Sequence, residues 1–150
     1  MTEKFVIYTD GGSRGNPGQA GAGAVVTDHT GEVLREAHRA LGVMTNNEAE
    51  YQAVILGLET IKKAVGKARA GAAKIEVRLD SELVAKQLSG KYQIKEVNLQ
   101  PLFIKIWNAR VATFRHLSFT HIPREKNHHA DQLANQAMDE GARPLAKTLF

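Results

Sequence analysis

The sequence predicts an α/β domain. Three strand-like segments with short links, residues 3–9, 20–27 and 32–41, open the chain and argue for an antiparallel meander. A helical period takes over at 47–65, and two later strand segments, 73–79 and 115–122, are each followed by helical sequence. No repeat, low-complexity stretch or second domain interrupts this order.

In the first segment Phe5, Val6, Ile7 and Tyr8 are β-formers, and the strand is expected to end at Asp10. Four glycines and Pro17 follow within eight residues, a composition that favours a turn. This turn lacks the G-x-x-x-x-G-K-S/T pattern of a nucleotide loop. Taken alone, it reads as a tight turn bearing a surface aspartate. The second strand opens with small residues, Ala20 to Ala24, and Asp28-His29-Thr30-Gly31 forms a hairpin turn to the third.

The first helix takes Asn46 or Asn47 as its N-cap, and Gly66 to Gly71 breaks it. Helical spacing puts Glu48 on a mostly polar stripe with Gln52, Ile55, Glu59 and Lys62. Glu50 instead falls with Val54, Gly57, Leu58, Ile61 and Val65, facing inward. An inward carboxylate is costly without compensation, so either a buried salt bridge or a metal or catalytic role must hold it. Lys62 and Lys63 lie too far along the helix to be its partners.

Ala73 to Leu79 alternates as a half-buried strand and runs into Asp80-Ser81 and a helix with Leu83, Val84, Gln87 and Leu88 inward. Asp80 can cap that helix. It also shares with Asp10 the end of an apolar strand, and adjacent strands would bring the two together. Residues 89–97 form a loop, then Asn98 caps a helix to about Ala112, with Trp107 at the core or its margin or else available for base stacking. After the last strand and the Pro123–Lys126 loop, Asn127 begins a helix with Ala130, Leu133, Ala134, Ala137 and Met138 on its inner stripe. Asp131 borders that stripe.

The chain has 150 residues, 43% of them hydrophobic, enough for a single domain with a real core. The absence of cysteine excludes disulfides, thiolate metal sites and cysteine nucleophiles, and favours the cytoplasm. The N-terminus lacks the apolar region of a signal peptide, and no apolar run reaches bilayer length. Net charge is +4, unevenly spread: residues 1–60 hold four Lys/Arg and eight Asp/Glu, the remainder sixteen and eight. That balance suits an acidic centre on a surface that attracts polyphosphate, and scattered solvated lysines account for it equally well.

Asp10, Glu50, Asp80 and Asp131 thus lie at element ends or beside inward faces. Oxygen-only ligands suit Mg²⁺ or Mn²⁺. Crowded without a cation they would repel one another, whereas two ions roughly 3.5 to 4 Å apart could activate water and steady a leaving oxygen in phosphodiester hydrolysis. His128 and His129 face different ways at a helix start and read as solvated. His121, at a strand end before the loop leading to Asp131, is either a proton shuttle or a structural histidine.

These residues occur in the order of a known family. The turn Thr9-Asp10-Gly11-Gly12-Ser13 with Asn16-Pro17-Gly18, the helix start Thr45-Asn46-Asn47-Glu48-Ala49-Glu50, the Asp80-Ser81 corner and the segment His121 to Asp131 resemble those of type 1 ribonuclease H, over about residues 3–140. The match is to its compact prokaryotic branch. The resemblance implies a ribonuclease H-like fold with a five-stranded mixed sheet, a catalytic domain over 1–141 and a tail over 142–150. It implies Mg²⁺- or Mn²⁺-dependent endonucleolytic cleavage of RNA in RNA/DNA hybrids by a monomer, with metal ligands Asp10, Glu50, Asp80 and Asp131. It places the catalytic-loop histidine at His121 and substrate contacts at Asn16, Thr45 and Asn46. A hybrid-binding module without catalysis, and a DNA exonuclease or resolvase with the same metal chemistry, are the alternative readings.

This chain departs from many members of that family. Gly90 to Asn98 is too short for a lysine-rich, tryptophan-bearing insertion, and Asn98-Leu99-Gln100-Pro101 lacks a channel-lining tryptophan. Glu82 replaces a frequent glutamine, and the Pro123–Lys126 loop lacks a usual glycine.

Overall fold

The first strand does not end at Asp10. In the computed structural model, which describes residues 2–142, β1 spans Lys4–Gly15 and pairs antiparallel with β2, Gly18–Asp28, from Phe5 to Gly15. The turn falls instead at Asn16-Pro17. The glycines continue the strand because helices press on both of its faces there. A Cβ on Gly11 would lie 2.1 Å from the Ala49 carbonyl oxygen, and one on Gly23, in β2, 2.4 Å from that of Ala130. Only a bare Cα lets helix backbone approach a sheet so closely.

The third strand, β3, covers Val33–Met44. It leads into α1, Asn46–Val65, whose N-cap is Thr45 rather than either asparagine. The Thr45 hydroxyl accepts from the Glu48 N–H at 3.2 Å while the Glu48 carboxylate accepts from the Thr45 N–H at 3.2 Å, a capping box that satisfies two otherwise unpaired donors. Gly66 ends α1, but the expected break is a short helix, α2, Lys67–Ala72. Next come β4 (Lys74–Leu79) and α3 (Glu82–Leu88), where Leu83 is exposed instead of inward.

A 3-10 turn at Val97–Leu99 precedes α4, Gln100–Ala112, and replaces the cap expected at Asn98. Trp107 is 50% exposed and stacks on Phe103 at a centroid distance of 6.5 Å, so it is a surface residue and not core. The chain closes with β5 (Leu117–His121), a 3-10 turn at Arg124–Lys126 and α5 (His128–Gly141). Of the tail expected at 142–150, all but Ala142 lies outside the described residues.

The sheet order is β3-β2-β1-β4-β5, antiparallel among the first three strands and parallel from β1 to β4 to β5. This is the five-stranded mixed sheet expected. Helices α1 and α5 cover opposite faces around β1 and β2, as the alternation of Gly11 against α1 and Gly12 against Met138 of α5 requires. The main core gathers Phe5, Ile7, Tyr51, Val54, Leu58 and Ile61 with Ile75, Val77 and Leu79 beneath α1. No helix among the described residues is long and apolar enough to cross a membrane.

Candidate metal centre and nucleic-acid interface

Parallel pairing places Thr9 opposite Leu79, so the residues that follow them, Asp10 within β1 and Asp80 just past β4, come side by side. The close passage of α1 over Gly11 adds Glu50 from above. Carboxylate oxygens of Asp10, Glu50 and Asp80 all lie within 4.8 Å of one another. Asp131, from the first turn of α5, lines the same cleft of about 460 Å³ with Asn46, Asn47, Arg124 and Asn135. The four acids chosen from spacing therefore meet in space.

Asp80 is free for this site because it does not cap α3. The Ser81 hydroxyl does, accepting from the Val84 N–H at 3.2 Å. Glu50 is 7% exposed and Asp10 8%, and no cation of the chain is bonded to either carboxylate among the described residues. The buried salt bridge considered for Glu50 is thus absent. Glu50 Oε2 is buried with no hydrogen-bond partner.

Electrostatics follow from that crowding. Burial, then the neighbouring Asp80 and Asp131, pushes the Asp10 carboxyl up to about 8. Burial, followed by the charges of Asp10 and Asp80, raises Glu50 well above the ordinary carboxylate range. An anionic cluster held this way favours protons or cations. With oxygen donors alone, an open cleft and an unpartnered buried oxygen, the residues fit a hard divalent ion.

The other sequence-predicted residues are placed differently. His121 ends β5, opposite Leu79, and is exposed beside Glu82, outside the lining of the cleft; Arg124 reaches that lining instead. Asn16 Oδ1 accepts from the Asn46 N–H at 3.1 Å, and Asn46 Oδ1 accepts from the Ser13 N–H at 2.9 Å and its hydroxyl at 3.0 Å. These bonds tie the β1–β2 turn to the start of α1. Thr45 is occupied as the cap. His128 and His129 are exposed, and His129 pairs with Glu36 at 2.6 Å, consistent with solvated histidines.

Two contributors were missed in the sequence. Asn127 was read only as a helix start, yet it lies four residues before Asp131 and therefore on the same side. Asn47 also lines the cleft, and its Nδ2 donates to Glu96 at 2.8 Å, anchoring the end of the 89–97 loop.

The fold agrees with comparisons to known proteins. A family model described as reverse transcriptase-like matches residues 8–137. A ribonuclease H1 isolated from compost is 46% identical, with a TM-score of 0.87 over 93% of this chain and 99% of that one. A ribonuclease H of Hydrogenovibrio crunogenus is 32% identical over 92% of this chain and 97% of its own length. The chain belongs to the type 1 ribonuclease H family. A further member, the ribonuclease HI of Halobacterium salinarum, is 40% identical over 89% of this chain and 63% of that protein. A bifunctional protein of Mycobacterium tuberculosis is 44% identical over 95% of this chain, which spans only 38% of its length.

Within this ribonuclease H domain, Glu48 is a control for Glu50. It is engaged in the capping box and does not line the cleft. Glu48→Gln keeps an oxygen to accept from the Thr45 N–H, so cleavage is expected to stay within about twofold of wild type, on the scale of a neutral surface change. Steady-state rates for Glu48→Gln beside Glu50→Gln check this. Equal damage would show that the helix phase does not separate their roles.

Proposed function

We propose that this domain cleaves the RNA strand of RNA/DNA hybrids endonucleolytically, with divalent ions held by Asp10, Glu50, Asp80 and Asp131. The observation that carries the reading is the convergence of three carboxylates, from β1, α1 and the β4–α3 corner, within 4.8 Å in an open cleft of a ribonuclease H fold. Such ions, when bound, activate a water and neutralise charge on the phosphate and leaving oxygen. Mg²⁺ is the ion we assign, with Mn²⁺ able to substitute.

The chain supplies the rest. Asp10 and Glu50, buried and rigidly placed between β1 and α1, give the ion site a fixed geometry. Arg124, at the cleft, offers a guanidinium to a phosphate oxygen. Because Oδ1 of Asn16 and of Asn46 is already engaged, each Nδ2 is left to donate outward to phosphate or 2′-hydroxyl. Thr45 holds these two residues in register as the helix cap. Contact with 2′-hydroxyls is what separates the RNA strand from the DNA strand. His121 is assigned to shuttle protons or assist product departure. We read the domain, residues 1–141, as a cytoplasmic monomer.

A solved complex of the compost ribonuclease H1 with an RNA/DNA hybrid, 45% identical with a TM-score of 0.89, favours hybrid as the substrate here. Matched RNA/DNA, RNA/RNA and DNA/DNA duplexes, labelled on each strand in turn and assayed with Mg²⁺ or Mn²⁺, test the reading. Internal cuts confined to the RNA of the hybrid are expected. Cleavage of the DNA duplex would favour the exonuclease or resolvase reading, and tight hybrid binding without cleavage would favour a binding module.

Affinity should fall with salt, because Lys and Arg that neutralise phosphates release counterions. With only the short 89–97 loop in place of a basic insertion, the fall between 50 and 200 mM salt should be roughly 10- to 100-fold, short of the roughly 10³- to 10⁵-fold given by six to ten phosphate contacts. Titration of an uncleaved hybrid in Ca²⁺ measures it, and a flat response would contradict a phosphate-tracking surface.

A further inference from the structure

Asn127 is 1% exposed at the start of α5, yet its side chain makes no capping bond to that helix. Both hydrogens of its amide point elsewhere. Nδ2 donates to the Thr9 carbonyl at 2.9 Å and to Asp80 Oδ2 at 3.1 Å. Its backbone carbonyl accepts the Asp131 N–H at 3.1 Å. One residue thus touches the peptide that precedes Asp10, the carboxylate of Asp80 and the backbone of Asp131.

We propose that Asn127 is a positioning residue that sets the mutual placement of three of the four carboxylates. Asparagine suits this place for a definite reason: it supplies two N–H donors on one atom, without charge. An aspartate would offer no donor and would add a further anion beside Asp80. An apolar residue would leave the buried Thr9 carbonyl unpaired. Holding Asp80 by Oδ2 restricts rotation of its carboxylate and leaves the second oxygen for a cation. Hydrogen bonds to a ligand from outside its coordination sphere orient it in this way. Asn127 itself is not placed in contact with substrate.

The inference rests on the divalent-ion reading of the cleft, and a binding experiment without substrate keeps the two apart. Mn²⁺ is titrated calorimetrically into the full chain and into Asn127→Ala, with melting temperatures recorded without metal so that both are compared folded. Loss of the clamp should weaken Mn²⁺ binding about 10- to 100-fold. Turnover of a hybrid should fall with KM little changed. A variant that melts earlier but binds Mn²⁺ as the parent does would overturn the proposal, leaving Asn127 a structural residue only. Failure of the parent chain to bind Mn²⁺ would instead overturn the ion reading and this inference with it. Should Asn127→Ala not fold, Asn127→Ser, which keeps one donor, is read in the same titration: weakened binding supports the clamp and parental affinity overturns it.

Discussion

Asp10→Asn should abolish cleavage while raising the stability of the metal-free protein. The substitution removes an anionic ligand from a cluster whose oxygens lie within 4.8 Å, without adding bulk. A loss on the order of 10³-fold or more is expected, the scale set by removing one preorganised electrostatic contact. Glu50→Gln should behave alike, since Glu50 is the other deeply buried member. Near-normal Mg²⁺-dependent cleavage by either variant would sink the ion-binding assignment.

The stability effect has a definite pH dependence. In the folded, metal-free chain Asp10 is pushed up to about 8, by burial first and then by Asp80 and Asp131. In an unfolded chain an aspartate titrates near about 3.9. Between those values the folded state binds a proton that the unfolded state has released, so stability falls as pH rises through this window. Below the unfolded value both states are protonated and the difference disappears. Asp10→Asn removes this contribution, so without metal its melting temperature should exceed that of wild type by several degrees near pH 8. The gap should close toward pH 4. Added Mg²⁺ should stabilise wild type far more than Asp10→Asn. Melting curves at pH 4, 6 and 8 with and without Mg²⁺ decide it, and a gap that widened toward pH 4 would contradict the burial account.

His121→Ala should lower single-turnover cleavage on the order of 10²-fold, the usual scale for a positioned general acid or base, with hybrid affinity little changed. The side chain is exposed at the end of β5, beside Glu82. Its backbone is held on the sheet, because the next residue, Ile122, donates its N–H to the Leu79 carbonyl at 2.9 Å. Reach toward the cleft must therefore come from the side chain or from movement of that strand end. Arg124, two residues beyond Ile122, already lines the cleft. Arg124→Ala should mainly weaken hybrid binding, and His128→Ala and His129→Ala should stay near wild type. An unaffected His121→Ala beside a crippled Arg124→Ala would transfer the role to the guanidinium.

The mycobacterial relatives extend well beyond the length matched here, so the ribonuclease H unit also serves as one part of larger chains. Its cleft is nevertheless built wholly from elements of the domain itself. Asp10, Glu50, Asp80 and Asp131 come from β1, α1, the β4–α3 corner and α5.

What the sequence determined by itself was local in origin. Alternation fixed where the strand before Asp80 ends, and helical phase turned Glu50 inward and Glu48 away. These periods depend on backbone geometry that each segment carries with it. The antiparallel meander followed from link length, and the four acids stood out at expected element ends or beside inward faces, although β1 runs on past Asp10. Family resemblance then supplied the closed set of roles.

The tertiary structure decided whatever depended on a partner from elsewhere in the chain. Glycines at 11, 12 and 15 read as a turn, yet they extend β1 because β2 pairs with all three, and at Gly11 helix α1 approaches too closely for a side chain. Trp107 reads as core or core margin but is half exposed on α4, since helix phase alone does not say which face packs against α1. Thr45 took the cap from its asparagine neighbours because Asn46 is bonded to the β1–β2 turn. Asn127 looks like a helix start, and its amide is bonded to the Thr9 carbonyl and the Asp80 carboxylate, 118 and 47 residues away in sequence. Long-range pairing of that kind has no period to read, so it emerges only when the sheet and α5 are assembled.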